Sequence, residues 1–176
     1  VKRQRAVRSS IGFMDRPWLA QYPAGVPADI DIHRFASLAA VLVDTCRRFD
    51  KQAAYESMGT ELSFRQVESE SLAFAAWLQK VAQLQPGDRI GIMMPNLLQV
   101  PVALFGVLRA GLVVVNINPL YTPRELEHQL KDAGVIAIVV LENFAHTLAQ
   151  VIAGTSVRTV VTTQVAGRSG TRPARS

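Results

Sequence analysis

The chain of 176 residues is 49% hydrophobic and 19% charged, which excludes an intrinsically disordered protein and fits one globular domain. Its net charge of +5 is concentrated in two terminal stretches, residues 1–13 and 157–176, each with four basic residues and no acidic one. Subtracting those eight from the 19 basic residues leaves 11 against 14 acidic residues, a net charge of −3. The body of the chain is therefore mildly acidic, and nucleic-acid binding is not expected.

The first periodic segment predicts a helix over Phe35–Phe49, with Leu38, Leu42, Cys46 and Phe49 on one face. Cys46 is the only cysteine, which excludes an internal disulfide and fits a reducing compartment. No histidine lies close to it in the sequence, so a buried structural thiol is favoured over a reactive one.

A β-hairpin and a second helix are predicted next. Ala53–Met58 and Glu61–Phe64 are strand-like, and the Gly59-Thr60 pair between them predicts the turn. Ser63 then caps a predicted helix from Phe64 to about Gln83, with Gln66 at the capping-box position. Five residues are predicted on its buried side: Val67, Ser71, Phe74, Leu78 and Val81.

The following segment predicts a strand, a helix and a strand over Ile90–Met94, Leu97–Ala110 and Leu112–Ile117. The two strands are continuous apolar runs, as in parallel sheets covered on both faces. Pro101 lies about one turn inside the helix, where an interior proline costs about 3 kcal/mol. We therefore expect the helix to begin after Leu97 or to bend at the proline.

The next helix has the clearest local signature. Thr122 is placed to cap it, Pro123 occupies the first helical position, and Glu125 completes a capping box. Gly134 is a typical stop. An apolar stripe and an ion pair at helical spacing are predicted along it: Leu126, Leu130 and Ala133, and Glu127 with Lys131.

The alternation continues with a strand at Val135–Leu141, a helix at Asn143–Ala153 and a strand at Val157–Thr163. The helix is predicted to bury Phe144, Leu148 and Val151. Four strands joined by three helices predict an α/β fold with an open, mostly parallel sheet.

Residues 97–115 are nearly all apolar over a length close to that of a membrane span. Arg109 would cost roughly 2.5–3.5 kcal/mol near the centre of such a span. Pro101, Gly106 and Gly111 also divide the run. A helix followed by a strand is therefore predicted in place of a transmembrane helix.

One stretch carries a family resemblance. Residues 93–130, MMPNLLQVPVALFGVLRAGLVVVNINPLYTPRELEHQL, resemble the N-terminal part of the adenylate-forming enzymes, most closely the bacterial long-chain fatty acyl-CoA synthetases. The resemblance implies that residues 14–163 form a partial AMP-binding domain, a truncated part of the large N-terminal domain. Residues 1–13 are expected to be an upstream or non-native extension, since Met14 suits a natural start. Residues 164–176 are expected to be an unstructured, out-of-frame tail.

The resemblance also implies a reaction for the parent protein: ATP, fatty acid and CoA give acyl-CoA, AMP and pyrophosphate through an acyl-adenylate, with Mg²⁺ on the phosphates. In that family a Ser/Thr/Gly-rich loop ending in Lys holds ATP, and this motif is not found here; Gly167–Thr171 lacks the Lys. We therefore assign no catalytic, cofactor-binding or metal residue and expect this chain alone to be inactive. The parent is expected in the cytoplasm, with peripheral contact to the inner membrane.

Other candidate residues have simpler interpretations. Asp29, Asp31 and His33 alternate as metal ligands do, but a solvated loop is favoured. A solvated helix face is likewise favoured for Glu125, His128 and Asp132, and His146 is expected to pack or cap. Four polar residues follow a strand where α/β sheets bind ligands, and we interpret them as a turn and cleft wall: Asn116, Asn118, Tyr121 and Arg124.

An alternative from another functional class stays open. The chain would then be a non-catalytic α/β binding or interaction module that uses exposed apolar surface where further strands would pack.

Overall fold

A computed structural model describes residues 16–165, which divide into two compact units with the boundary between Arg34 and Phe35. In the first unit, a 3₁₀ helix spans Pro17–Gln21 and buries none of its residues. The predictions for residues 1–13, for Met14 and for the end of the chain beyond residue 165 lie outside the described residues.

The second unit alternates strands and helices as the sequence predicts. Its elements in chain order are α1 (Leu38–Arg48), β1 (Ala53–Ser57), β2 (Thr60–Ser63), α2 (Phe64–Lys80), β3 (Arg89–Met93), α3 (Gln99–Arg109), β4 (Val113–Asn116), α4 (Pro123–Asp132), β5 (Val135–Leu141), α5 (Glu142–Ala149) and β6 (Thr159–Thr163). A short 3₁₀ turn, Ile152–Gly154, precedes β6.

The strands β3 to β6 form a parallel sheet in the order β4-β3-β5-β6. Alternate residues of each strand enter two separate cores. The face we call the α2/α3 face buries Ile90 and Ile92 of β3 with Leu78 of α2 and Val107 of α3. The opposite face, called the α4/α5 face, has its own set: Met93, Ile138, Val140, Leu126, Leu130 and Leu148. The prediction of a parallel sheet covered on both faces is confirmed.

The α2/α3 face carries a second layer. Helix α1 and the β1–β2 hairpin pack on the outer side of α2 and α3, where Leu42, Cys46, Leu62 and Val67 form a third buried cluster. Phe105 of α3 packs against this cluster. Helix α3 is therefore covered on two sides, which accounts for its nearly continuous apolar sequence.

The predicted hairpin is present, but its turn is displaced by one residue. Ser57 pairs with Thr60, so the turn residues are Met58 and Gly59 and not Gly59-Thr60. Both have positive φ, 50° and 72°. A two-residue turn with positive φ at both positions matches the twist of the paired strands.

Three helix boundaries also correct the predictions. Helix α1 begins at Leu38, which is exposed, and α2 ends at Lys80, which leaves Val81 exposed. Helix α5 ends at Ala149 instead of Ala153. At each of these sites, apolar residues at helical spacing occur beyond the end of the actual helix, so the sequence pattern predicts a helix that is too long.

Helix α3 begins at Gln99, later than Leu97, as the proline required. Pro101 is then its third residue, and a missing N–H there is one that the helix start leaves unpaired in any case. Among the described residues, no helix is both long enough and apolar enough to cross a membrane.

Candidate functional site

The carboxyl ends of the four parallel strands lie at one edge of the sheet, where open α/β folds place ligands. Helices α3, α4 and α5 begin at this edge because each follows a strand of the sheet. The polar residues at or just after the ends of β3, β4, β5 and β6 are Asn96, Asn116, Glu142 and Gln164, respectively. We call this set of strand ends the carboxyl edge.

The segment between β4 and α4 folds into a compact turn. The side-chain oxygen of Asn118 accepts a hydrogen bond from the backbone N–H of Leu120 at 3.0 Å. Tyr121 N–H donates to the backbone oxygen of Asn118 at 3.2 Å. Gln129 Nε2 on α4 donates to the backbone oxygen of Asn116 at 3.1 Å. These contacts fix α4 against the end of β4.

The capping box of α4 is confirmed. The carboxylate Oε2 of Glu125 accepts from the Thr122 backbone N–H at 2.9 Å and from its hydroxyl at 2.8 Å. The Thr122 hydroxyl accepts from the Glu125 N–H at 3.4 Å. The two hydrogen bonds to the carboxylate, the backbone one first, hold the pKa of Glu125 below its ordinary value. Glu125 therefore serves to cap the N-terminus of α4.

Helix α4 borders a shallow depression of about 280 Å³ next to this turn. Its lining residues are Tyr121, Glu125, His128, Gln129 and Asp132. Across residues 16–165, no group of three or more His, Cys, Asp and Glu side chains is placed to hold a metal ion.

A second polar group at the carboxyl edge was not predicted. Gln99, the first residue of α3, donates through Nε2 to the backbone oxygen of Gln164 at 2.9 Å. Gln164 Nε2 in turn donates to Glu142 Oε2, on the first residue of α5, at 2.7 Å. The group ties the end of β6 to two helix starts. No short-range pattern indicates it, since Gln99 and Gln164 are 65 residues apart.

A partly buried polar cluster joins α2 and α3 away from this edge, beside Cys46 of α1. The Arg109 guanidinium donates to Glu68 Oε1 at 2.7 Å, to the Glu68 backbone oxygen at 3.0 Å and to the Ser71 hydroxyl at 3.1 Å. Cys46 is buried as predicted, and burial followed by the charge of Glu68 raises the pKa of its thiol. A thiol of raised pKa is a poor nucleophile, which supports its structural role.

The remaining candidate residues make local contacts. Asp29 pairs with Arg16 at 2.7 Å, and Asp31 Oδ1 accepts from the His33 backbone N–H at 2.9 Å. His146 Nδ1 lies 3.1 Å from the backbone oxygen of Asn143. The segment Gly167–Thr171 lies outside the described residues.

A model of the family described as "AMP-binding enzyme" matches residues 42–174. The chain is 55% identical over 152 residues to a long-chain-fatty-acid–CoA ligase of Yersinia pestis, covering 86% of this chain and 27% of that protein. It is 52% identical over 158 residues to the enzyme of the same name from Salmonella typhimurium, covering 90% and 28%. The chain thus spans little more than a quarter of the length of these relatives.

Solved structures share the fold. A long-chain-fatty-acid-CoA ligase from Archaeoglobus fulgidus superposes with a TM-score of 0.66 at 22% identity, covering 72% of this chain and 27% of that one. The anthranilate CoA ligase AuaEII, in complex with anthranoyl-AMP, gives a TM-score of 0.68 at 21% identity and covers 71% and 24%. At this level of identity the likeness concerns the fold.

Proposed function

The chain belongs to the AMP-binding enzyme family, and from this membership we propose that it forms part of a long-chain fatty acid–CoA ligase. The observation that carries the proposal is the 55% identity over 152 residues to a ligase of that name. That match spans 86% of this chain. The proposed substrates of the whole protein are ATP, a long-chain fatty acid and CoA.

The proposed reaction has two steps. The fatty carboxylate attacks the α-phosphorus of ATP, which forms an acyl-adenylate and releases pyrophosphate. The CoA thiolate then attacks the acyl carbon and releases AMP, so that a thioester replaces the mixed anhydride. Mg²⁺ would neutralise the phosphates when bound.

We assign the carboxyl edge a structural part in this reaction. The Asn116–Tyr121 turn and the Gln99–Gln164–Glu142 group form one wall of the cleft, and their hydrogen bonds fix the backbone there. None of the described residues corresponds to the loop ending in Lys that holds ATP in this family. We therefore propose that the 176 residues alone do not form the adenylate.

Two measurements test the proposal. The purified 176-residue chain should release no pyrophosphate from ATP in the presence of a long-chain fatty acid. The DNA that follows codon 163, read in all three frames, should encode a Ser/Thr/Gly-rich loop ending in Lys. Pyrophosphate release by the chain alone would refute its inactivity.

If no reading frame reaches such a loop, and if the chain is monodisperse and melts cooperatively, the ligase proposal fails. A non-catalytic α/β binding module would then be the better account. Rapid proteolysis or aggregation of the isolated chain would agree with a part of a larger protein.

The proposal extends to the place of the reaction. Long-chain fatty acids are poorly soluble in water and concentrate in bilayers. We therefore propose a cytoplasmic ligase that contacts the inner membrane at its surface.

A further inference from the structure

We draw no further inference here: the strongest candidate, the groove of about 540 Å³ between α1 and α2 that is lined mainly by Ala39, Ala40, Val43, Leu72, Ala75 and Ala76, is an unpartnered apolar surface, and nothing in the structure shows what covers it.

Discussion

The two faces of the sheet are covered in different ways. On the α2/α3 face, two helices lie between the sheet and an outer layer of α1 and the hairpin, so α3 is buried on both sides. On the α4/α5 face, one layer of helices covers the sheet, and α4 buries Leu126 and Leu130 while its other side carries the exposed Glu127–Lys131 pair.

This difference explains two contrasting sequence patterns. A helix covered on both sides can be apolar all round, and for that reason residues 97–115 approach the composition of a membrane span. A helix covered on one side must alternate, as α4 does. The number of layers above the sheet, which a single sequence does not reveal, thus sets the pattern of each helix.

The largest expected effect is on the single-layer face. Leu130→Ala removes a completely buried side chain of α4 and should lower the free energy of unfolding by about 3 kcal/mol, through lost burial and the cavity left behind. Urea unfolding followed by circular dichroism measures the change. Leu120→Ala, at an exposed position, should change it by less than about 0.5 kcal/mol.

On the double-layer face, the partly buried ion pair of Arg109 and Glu68, whose side chains are 10% and 33% exposed, should matter nearly as much. Arg109→Ala leaves Glu68 without its cation and Ser71 without its donor, and should cost about 2 kcal/mol. The Arg109 side chain is only 10% exposed, whereas Arg65 in its pair with Asp50 is 65% exposed. Arg65→Ala should therefore cost less than about 1 kcal/mol. Equal losses in the two variants would contradict this reasoning.

The closeness of α2 and α3 is the next feature to test. A Cβ at Gly106 would lie 2.6 Å from the ring of Phe74 and 3.2 Å from the backbone oxygen of Ser71. Gly106→Ala should destabilise the chain by about 1–2 kcal/mol, although alanine is the better helix former. Unchanged or increased stability in urea would show that the two helices can separate without cost.

The hairpin of the outer layer allows a stabilising change. Met58 has a φ of 50° and an exposed side chain, so it gains little from its contacts and is held in a region that asparagine adopts more readily. Met58→Asn should raise the free energy of unfolding by about 0.5 kcal/mol. Met58→Ala is the control, since alanine should give no such gain.

The smallest effect concerns the two capping boxes and depends on pH. The box of α2 pairs Ser63 with the neutral Gln66, and that of α4 pairs Thr122 with Glu125. The pKa of Glu125 is lowered in the folded chain. Its carboxylate therefore stabilises the folded state at pH values above the ordinary glutamate pKa of 4.5. That contribution is lost as the pH falls through the folded-state pKa.

Glu125→Gln keeps the capping geometry and removes the charge. The variant should melt slightly below the unchanged chain at neutral pH, and the two should melt together at pH values below the folded-state pKa of Glu125. A difference in melting temperature that persists in acid would assign the effect to geometry and not to charge.

Much of the fold could be predicted because its signals are local. The α4 capping box, the Pro101 constraint and the apolar runs of β3 and β5 each lie within a few residues, and each was found in the structure. Leu38 and Val81 were placed wrongly because helical spacing alone does not reveal where a helix is covered.

The polar contacts between distant residues could not be predicted. Arg109 and Glu68 are 41 residues apart, and their pairing depends on how α2 packs on α3. The isolated charge of Arg109 in an apolar helix was a usable signal, because a charge in such a place needs a partner. It indicated a partner without identifying Glu68. The Gln99–Gln164 contact had no comparable signal.

The most direct test of the proposed ligase function is a chimera. The segment of the Salmonella typhimurium ligase that matches this chain would be replaced by the corresponding residues of the chain, at 52% identity. Long-chain fatty acid should then drive pyrophosphate release from ATP at a rate within about tenfold of the unmodified ligase, because the two segments share the fold and differ in under half of their residues. A folded chimera that releases no pyrophosphate with a long-chain fatty acid would contradict the account.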